Sequence, residues 1–176
     1  MKLFIIGMPG SGKSYFGKKM SKTLHLKFVD LDEAIEKETG KKIKDIISKE
    51  GEDNFRKIEK EVLRSFDHSN QILISCGGGT PIYHDNIKWM KNNGVVIWLN
   101  TNLDKISERI GKNLTRRPMF LGLNQQEMEL KIRDLYEKRR KIYQQADIIV
   151  ESGKGGSVLL SAVIQQVMEH SRRFKS

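Results

Sequence analysis

The sequence predicts an α/β fold in which a parallel β-sheet carries helices on both faces. The first observation is a set of short apolar runs without polar–apolar alternation, as is typical of strands buried on both sides; they lie at 3–6, 28–29, 72–76, 95–99 and 148–150. The second is the set of helical patterns between these runs, at roughly 13–24, 32–38, 43–50, 54–66, 84–93, 102–110, 126–145 and 157–170. Strands that alternate with helices favour a parallel sheet. The 176 residues contain no repeat or linker, so we expect a single domain over 1–176.

Composition narrows the class of protein. Hydrophobic residues make up 38% and charged residues 31% of the chain, which suits a soluble globular protein. No apolar run approaches the ~20 residues of a membrane span, and a strand that begins by residue 3 leaves no room for a signal peptide. The single cysteine, Cys76, follows an apolar run, so we expect it to pack in the core of a protein from a reducing compartment. We therefore expect a cytoplasmic protein with no membrane partner.

The net charge of +10 indicates either a nucleic-acid partner or a site for anionic small molecules. Basic residues are mostly interleaved with acidic ones, as in 41–61, which is typical of solvated helix faces. Aromatic residues make up only 7% of the chain and are not interleaved with basic ones, as stacking on bases would require. We therefore expect no nucleic-acid partner and a small anionic substrate.

A glycine-rich motif follows the first apolar run. Residues 7–14 read Gly-Met-Pro-Gly-Ser-Gly-Lys-Ser, which is the P-loop pattern between a strand and a helix. The glycines let backbone N–H groups point inward around phosphate oxygens. Lys13 adds a point charge at the outer phosphates, and Ser14 offers a hydroxyl to Mg²⁺. The motif predicts a site for the phosphates of a nucleotide.

Two carboxylates, Asp30 and Asp32, end the second predicted strand. The carboxyl ends of parallel strands face the ligand crevice, so both lie on the side of the P-loop. With a period of two, both side chains point to the same face. One would hold Mg²⁺ through water and the other would meet a substrate hydroxyl. The alternative is that Asp32 only caps the helix at 33–38.

Arg56 lies in the first turn of a helix predicted to begin near Asn54, where a cation opposes the helix dipole. Its placement therefore indicates another purpose. Anion binding is one, and an ion pair with Glu59, three residues on, is the other. Both can hold, because an ion pair orients a guanidinium for a carboxylate.

Three glycines, Gly77, Gly78 and Gly79, follow the third strand, where a P-loop enzyme often carries an acidic residue. The carboxylate beside Mg²⁺ must then come from elsewhere, and Asp30 is the nearest candidate. A glycine triplet lets a ligand lie directly against the backbone. The alternative is a flexible turn.

The segment 111–124 is basic, contains Arg116 and Arg117 before Pro118, and has Gly111 and Gly122 near its ends. An irregular loop of this length is usually functional or disordered, and glycines at its ends would serve as hinges. The sequence predicts a mobile lid, with a plain surface loop as the alternative.

Arg139 lies on the apolar stripe of the helix predicted at 126–145. The stripe consists of Met128, Ile132, Leu135 and Ile142, whereas Arg133 and Arg140 lie off it. An arginine on a core-facing stripe needs an anionic partner, either a ligand or an internal aspartate. Together these features describe a phosphoryl-transfer site whose acceptor carries a carboxylate and hydroxyls.

The chain resembles the shikimate kinase family over essentially its whole length. The matching pieces, in order, are 7–14, 30–32, 54–59, 77–79, 117–118 and 137–139 with Tyr143. The resemblance implies a three-layer P-loop kinase fold with five parallel strands in the order 2-3-1-4-5. It implies ATP and Mg²⁺, transfer to the 3-hydroxyl of shikimate, a monomer, acceptor-binding helices at about 32–60 and a lid at about 111–124.

The resemblance also implies roles for single residues. ATP phosphates would be held by Gly10, Ser11, Gly12, Lys13, Ser14 and Tyr15. Mg²⁺ would be held by Ser14 with Asp30 behind it, and Arg109 would lie beside the adenine. Asp32 would bond the shikimate hydroxyls and act on the attacking one. The rest of shikimate would be held by Arg56, Gly78, Gly79 and Arg139, and Arg117 would close from the lid onto the phosphates.

Two other functions compete with this interpretation. The first is another small-molecule kinase of the same fold, such as gluconate kinase; Arg56 and the glycine triplet favour the shikimate pattern over it. The second is a nucleotide-dependent RNA-binding or switch protein without phosphoryl transfer, which would show salt-sensitive RNA affinity and no turnover.

Overall fold

The structure is a computed structural model that describes residues 1–114, 118–152 and 156–173. Five strands form one parallel sheet in the order β2-β3-β1-β4-β5. Their bounds are β1 (Lys2–Ile6), β2 (Lys27–Asp30), β3 (Ile72–Ser75), β4 (Val95–Thr101) and β5 (Ile148–Ser152). The predicted fold class and strand order are confirmed.

Eight helices connect and cover the strands in the described part of the chain. They are α1 (Lys13–Thr23), α2 (Leu31–Thr39), α3 (Ile43–Glu50), α4 (Glu52–Ser65), α5 (Asn86–Asn93), α6 (Leu103–Gly111), α7 (Gln125–Tyr143) and α8 (Gly156–Arg173). Short 3₁₀ turns lie at Thr80–Ile82 and Pro118–Phe120. Within the described ranges, no helix is both long and apolar enough to cross a membrane.

The sheet separates two hydrophobic cores, which makes the three layers. Leu3 and Ile5 of β1 point to the face that packs on α1 and α8, and Phe4 and Ile6 point to the face covered by the other helices. Successive side chains of a strand alternate between faces, and here both faces are buried. This explains why the strands appear in the sequence as continuous apolar runs.

The predicted loop at 111–124 differs from the structure at one end. Gly111 is the last residue of α6 and not the start of an irregular segment, because the helical pattern runs on through it. Gly122 has a φ of +79°, the left-handed conformation that favours glycine. Phe120 is fully buried and anchors this part of the segment in the core. Residues 115–117, which include Arg116 and Arg117, lie outside the described residues.

Candidate active site

The P-loop joins β1 to α1 at the carboxyl edge of the sheet. Three of its residues have positive φ: Gly7 at +145°, Gly10 at +80° and Gly12 at +97°. A Cβ at Gly7 would lie 2.7 Å from the carbonyl oxygen of Leu99, so only glycine fits there. The loop opens directly into the N-terminus of α1, where free backbone N–H groups and the helix dipole favour phosphate.

Lys13 lies folded within this loop. Its side chain is buried, and Nζ donates hydrogen bonds to the carbonyl oxygens of Gly7 at 3.0 Å and Met8 at 2.8 Å. The ammonium group is thereby held against the loop backbone, where its charge acts with little screening by water.

Arg109 and Thr101 brace the loop from the side of α6 and β4. Arg109 Nη1 donates to the carbonyl oxygens of Ser11 at 3.0 Å and Gly10 at 3.3 Å, and Thr101 Oγ1 donates to that of Ser11 at 3.0 Å. Arg109 therefore lies against the predicted phosphate site. Tyr15 is 67% exposed, so its predicted contribution to phosphate binding falls to its backbone N–H.

Three oxygen-bearing side chains meet at the start of α1. Ser14 Oγ donates to Asp30 Oδ2 at 2.7 Å and lies 3.4 Å from Ser75 Oγ. Ser75 is the last residue of β3, and the end of this strand is where a P-loop enzyme often carries an acidic residue. Its hydroxyl was missed because serine in an apolar run has no signal of its own. Hydroxyl and carboxylate oxygens are the ligands that Mg²⁺ prefers.

The prediction that Asp30 and Asp32 both end the second strand, with their side chains on the same face, was wrong. β2 ends at Asp30 and α2 begins at Leu31, because Asp30 itself is the N-cap: its Oδ1 accepts a hydrogen bond from the backbone N–H of Asp32 at 3.2 Å. The cap is therefore Asp30 and not Asp32. Asp32 is left in the first turn of α2 with its carboxylate turned toward the glycine triplet.

The glycine triplet is required by close approach and not by backbone angle, since none of its members has a positive φ. A Cβ at Gly77 would lie 3.2 Å from Asp32 Oδ1. A Cβ at Gly78 would lie 2.9 Å from Arg139 Nη1. At Gly79 it would lie 2.5 Å from Arg56 Nη2. The triplet thus brings Asp32, Arg56 and Arg139 together around one stretch of backbone.

Arg56 is held by two carboxylates. Nη1 pairs with Glu59 Oε2 at 2.8 Å, as the spacing predicted, and Nη2 pairs with Glu52 Oε1 at 2.9 Å. Glu59 is fully buried and also accepts a hydrogen bond from Thr80 Oγ1 at 2.6 Å. Burial by itself lowers the pKa of Arg56, but the charges and hydrogen bonds of Glu59 and Glu52 outweigh it and raise the pKa. The guanidinium therefore remains charged in a largely dry setting.

The predicted position of Arg56 in its helix was wrong. α4 begins at Glu52 and not near Asn54, so Arg56 lies in the second turn, where the N-terminal dipole acts weakly. Glu52 was missed, although its spacing of four residues from Arg56 signals an ion pair once the helix start is known. Tyr83 was missed as well: the guanidinium lies 4.5 Å from its ring centroid, in a cation–π contact.

Arg139 faces inward from α7 as the apolar stripe predicted. It is half-buried, whereas Arg133 and Arg140 are exposed. Its Nη1 is buried and has no hydrogen-bond partner among the described residues. A buried cationic donor without an acceptor is costly. This orphaned donor, next to Gly78, fits an anionic group of a ligand.

Cys76 packs in the core, as its place after an apolar run predicted. It is 2% exposed, and burial, together with the charges of Glu59, Asp32 and Asp30, raises the pKa of its thiol well above the usual value. A thiol that stays protonated is a poor nucleophile.

The site has two halves on one edge of the sheet: a phosphate-binding loop with a hydroxyl–carboxylate pair, and a pocket in which a carboxylate and two arginines meet at the glycine triplet. A P-loop in this sheet topology together with an acceptor pocket defines a P-loop kinase that acts on a small molecule.

Comparison with known proteins assigns the family. A family model described as shikimate kinase matches residues 9–172. The shikimate kinase of Persephonella marina is 42% identical over 166 residues, which cover 94% of this chain and 98% of the relative. The chain belongs to the shikimate kinase family.

Solved structures agree with this assignment. The shikimate kinase of Bacteroides thetaiotaomicron matches with a TM-score of 0.89 and 28% identity over 96% of this chain and 98% of the other. The shikimate kinase of Acinetobacter baumannii in complex with shikimate matches with a TM-score of 0.87 and 29% identity. The match covers 96% of this chain and 93% of the other. A gluconokinase from Sinorhizobium meliloti matches with a TM-score of 0.66 over 99% of this chain and 97% of the other. At 12% identity, this likeness shows a shared fold alone.

Proposed function

We propose that this protein transfers the γ-phosphoryl group of ATP to the 3-hydroxyl of shikimate, which yields shikimate 3-phosphate and ADP for aromatic amino acid biosynthesis. The observation that carries the proposal is the acceptor pocket. Two arginines border the glycine triplet beside Asp32, and Arg139 Nη1 has no hydrogen-bond partner among the described residues. A carboxylate on the acceptor would give Arg139 Nη1 an acceptor, with Arg56 as a second positive charge beside the triplet.

In this proposal the hydroxyl oxygen of the acceptor attacks the γ-phosphorus while the bond to the bridging oxygen of ADP breaks. Asp32 orients that hydroxyl and accepts its proton. Lys13 and the backbone N–H groups of residues 10–15 stabilise the charge on the phosphate oxygens. Arg109 would extend this surface toward the adenine, and Arg117 would close on the phosphates from the lid.

Mg²⁺ fits the pair formed by Ser14 and Asp30. The Ser14 hydroxyl would ligate the ion and the Asp30 carboxylate would hold it from behind, with Ser75 adjacent. Within the described ranges no cluster of three or more His, Cys, Asp or Glu side chains could hold a metal. Mg²⁺ suits such a sparse site, since it is usually held by one or two carboxylates, water and substrate phosphates. When bound, it would neutralise charge on the phosphates.

The domain organisation follows the same proposal. The acceptor would be held by the helices at about 32–60, and the segment that follows Gly111, up to about residue 124, would close over the phosphates and exclude water. A monomeric state and a cytoplasmic location are part of the proposal.

The test is ADP release from Mg-ATP with the purified protein against shikimate, gluconate, AMP, CMP and no acceptor. We expect release that depends on shikimate. Release with gluconate would keep the kinase site and overturn the proposed acceptor. Nucleotide binding without turnover on any acceptor would favour a nucleotide-dependent binding protein.

Arg139→Ala is expected to weaken acceptor binding. A hydrogen bond to a charged group contributes about 1.5–3 kcal/mol, so the KM for shikimate should rise roughly 10- to 100-fold while that for ATP changes little. Arg133→Ala, a change of the same size on the exposed face of the same helix, is the control. Equal losses in the two variants would contradict the assignment of the helix faces.

Gly79→Ala is expected to displace Arg56. The added Cβ would lie 2.5 Å from Nη2, so the guanidinium must move aside and strain its ion pairs with Glu59 and Glu52. Because the displaced Arg56 guanidinium would lose its contact with the acceptor, the KM for shikimate should rise about tenfold or more.

Gly111→Ala is the matched control for this change. Its Cβ would meet only Met128 Cε, at 3.7 Å, and alanine is favoured inside a helix. We expect unchanged kinetics for Gly111→Ala, and steady-state assays of both variants over a range of shikimate concentrations decide the point. Wild-type KM in Gly79→Ala would contradict the close approach of Arg56.

A further inference from the structure

Tyr143 is a buried residue that the proposed mechanism does not use. It ends α7, is fully buried, and packs its ring against Trp98 of β4 with a centroid distance of 5.7 Å. Its hydroxyl donates a hydrogen bond of 2.6 Å to the carbonyl oxygen of Gly78. The phenol is therefore held at its ring by the core and at its oxygen by the glycine triplet.

The guanidinium of Arg139, one helical turn earlier on α7, lies near the same hydroxyl. Burial raises the pKa of Tyr143 to about 12, although the nearby positive charge of Arg139 acts in the lowering direction. The hydroxyl thus stays protonated at neutral pH and continues to donate to Gly78.

Gly78 and Arg139 are also adjacent to each other. A Cβ at Gly78 would lie 2.9 Å from Arg139 Nη1, which is the orphaned donor of the acceptor pocket. Tyr143 therefore fixes the stretch of backbone against which this donor lies.

We propose that Tyr143 is a positioning residue of the acceptor site: its hydroxyl fixes the Gly78 carbonyl, and this fixed backbone keeps the adjacent Arg139 guanidinium in place, so that Nη1 meets the acceptor's anionic group. A free arginine side chain loses considerable rotamer entropy when it binds a ligand, and a fixed partner removes part of that cost before binding. This inference rests on the proposed function and adds a residue to its acceptor pocket.

The test compares Tyr143→Phe with Tyr136→Phe. Both changes remove one hydroxyl from a tyrosine of α7 that packs near Trp98, so they are matched in size and location. We expect Tyr143→Phe to raise the KM for shikimate about tenfold, with the KM for ATP within about twofold of wild type, and Tyr136→Phe to leave both unchanged. All assays are run well below the Tm of each variant, so that unfolding does not contribute.

A double-mutant cycle separates positioning from general destabilisation. If Tyr143 acts through Arg139, then Tyr143→Phe in an Arg139→Ala background should lower kcat/KM for shikimate less than about threefold. The full tenfold loss in that background, or equal changes in both KM values, would overturn the inference. A wild-type enzyme without shikimate-dependent turnover would overturn the proposed function and this inference together, whereas failure of the inference alone appears only in the variants.

Discussion

Lys13→Ala is expected to reduce kcat for shikimate-dependent ADP release by about 10³-fold or more. Removing a single neutral donor to a developing charge typically costs about 10²–10³ in rate, and here the lost group carries a full charge in a buried setting. The variant also leaves the carbonyl oxygens of Gly7 and Met8 without their side-chain donor. Single-turnover assays at saturating Mg-ATP would measure the loss in the chemical step.

Lys22→Ala is the control for this experiment, because Lys22 lies exposed on the same helix and away from the loop. It should retain wild-type kcat. A Lys13→Ala variant that folds, binds Mg-ATP and keeps more than a tenth of the wild-type kcat would contradict the role assigned to the ammonium group.

Asp32→Asn is expected to lower kcat/KM for shikimate by about 10²–10⁴-fold, the usual contribution of a positioned acid–base group. Asparagine has nearly the same size as aspartate, so it fits the same place beside Gly77, where Asp32 Oδ1 lies 3.2 Å from the position of an added Cβ. It also preserves a hydrogen bond to the acceptor. What it removes is the capacity to accept a proton.

Glu33→Gln is the matched control for Asp32→Asn, since Glu33 is the next residue of α2 and is exposed. It should leave kcat/KM for shikimate unchanged. An Asp32→Asn variant with a raised KM and a normal kcat would show that Asp32 only places the hydroxyl, and that the proton leaves by another route.

The parts of the site that could be predicted from the sequence are those whose residues form a pattern within a short stretch of the chain. The P-loop spans eight consecutive residues, so its glycines, Lys13 and Ser14 are recognisable without any tertiary contact. Arg139 could be placed on the inward face because the helical period relates it to Ile132 and Leu135 over less than three turns. The strands could be predicted because both faces of the sheet are buried, which leaves uninterrupted apolar runs.

Other features depend on where a strand ends or a helix begins, to within one or two residues. Secondary-structure propensity does not determine these positions so closely. The end of β2 at Asp30 makes this residue a cap and turns Asp32 toward the glycine triplet, whereas a strand two residues longer would put both side chains on one face. In the same way, a start of α4 at Glu52 supplies Arg56 with a second carboxylate. At the end of β2 the boundary carries a side-chain cap by Asp30, whereas α4 begins after Gly51 with no side-chain cap.

By itself, the sequence determined the α/β class, the order of the elements and the phosphate-binding loop, because period, glycine spacing and motif are properties of neighbouring residues. Only the tertiary structure decided what surrounds Ser14 of the phosphate-binding loop and the glycine triplet of the acceptor pocket. Ser75 meets Ser14 across 61 positions, and Tyr143 meets Gly78 across 65. Neither pair leaves a local pattern, because contacts between strand ends and helix ends arise only when the sheet brings distant segments to one edge.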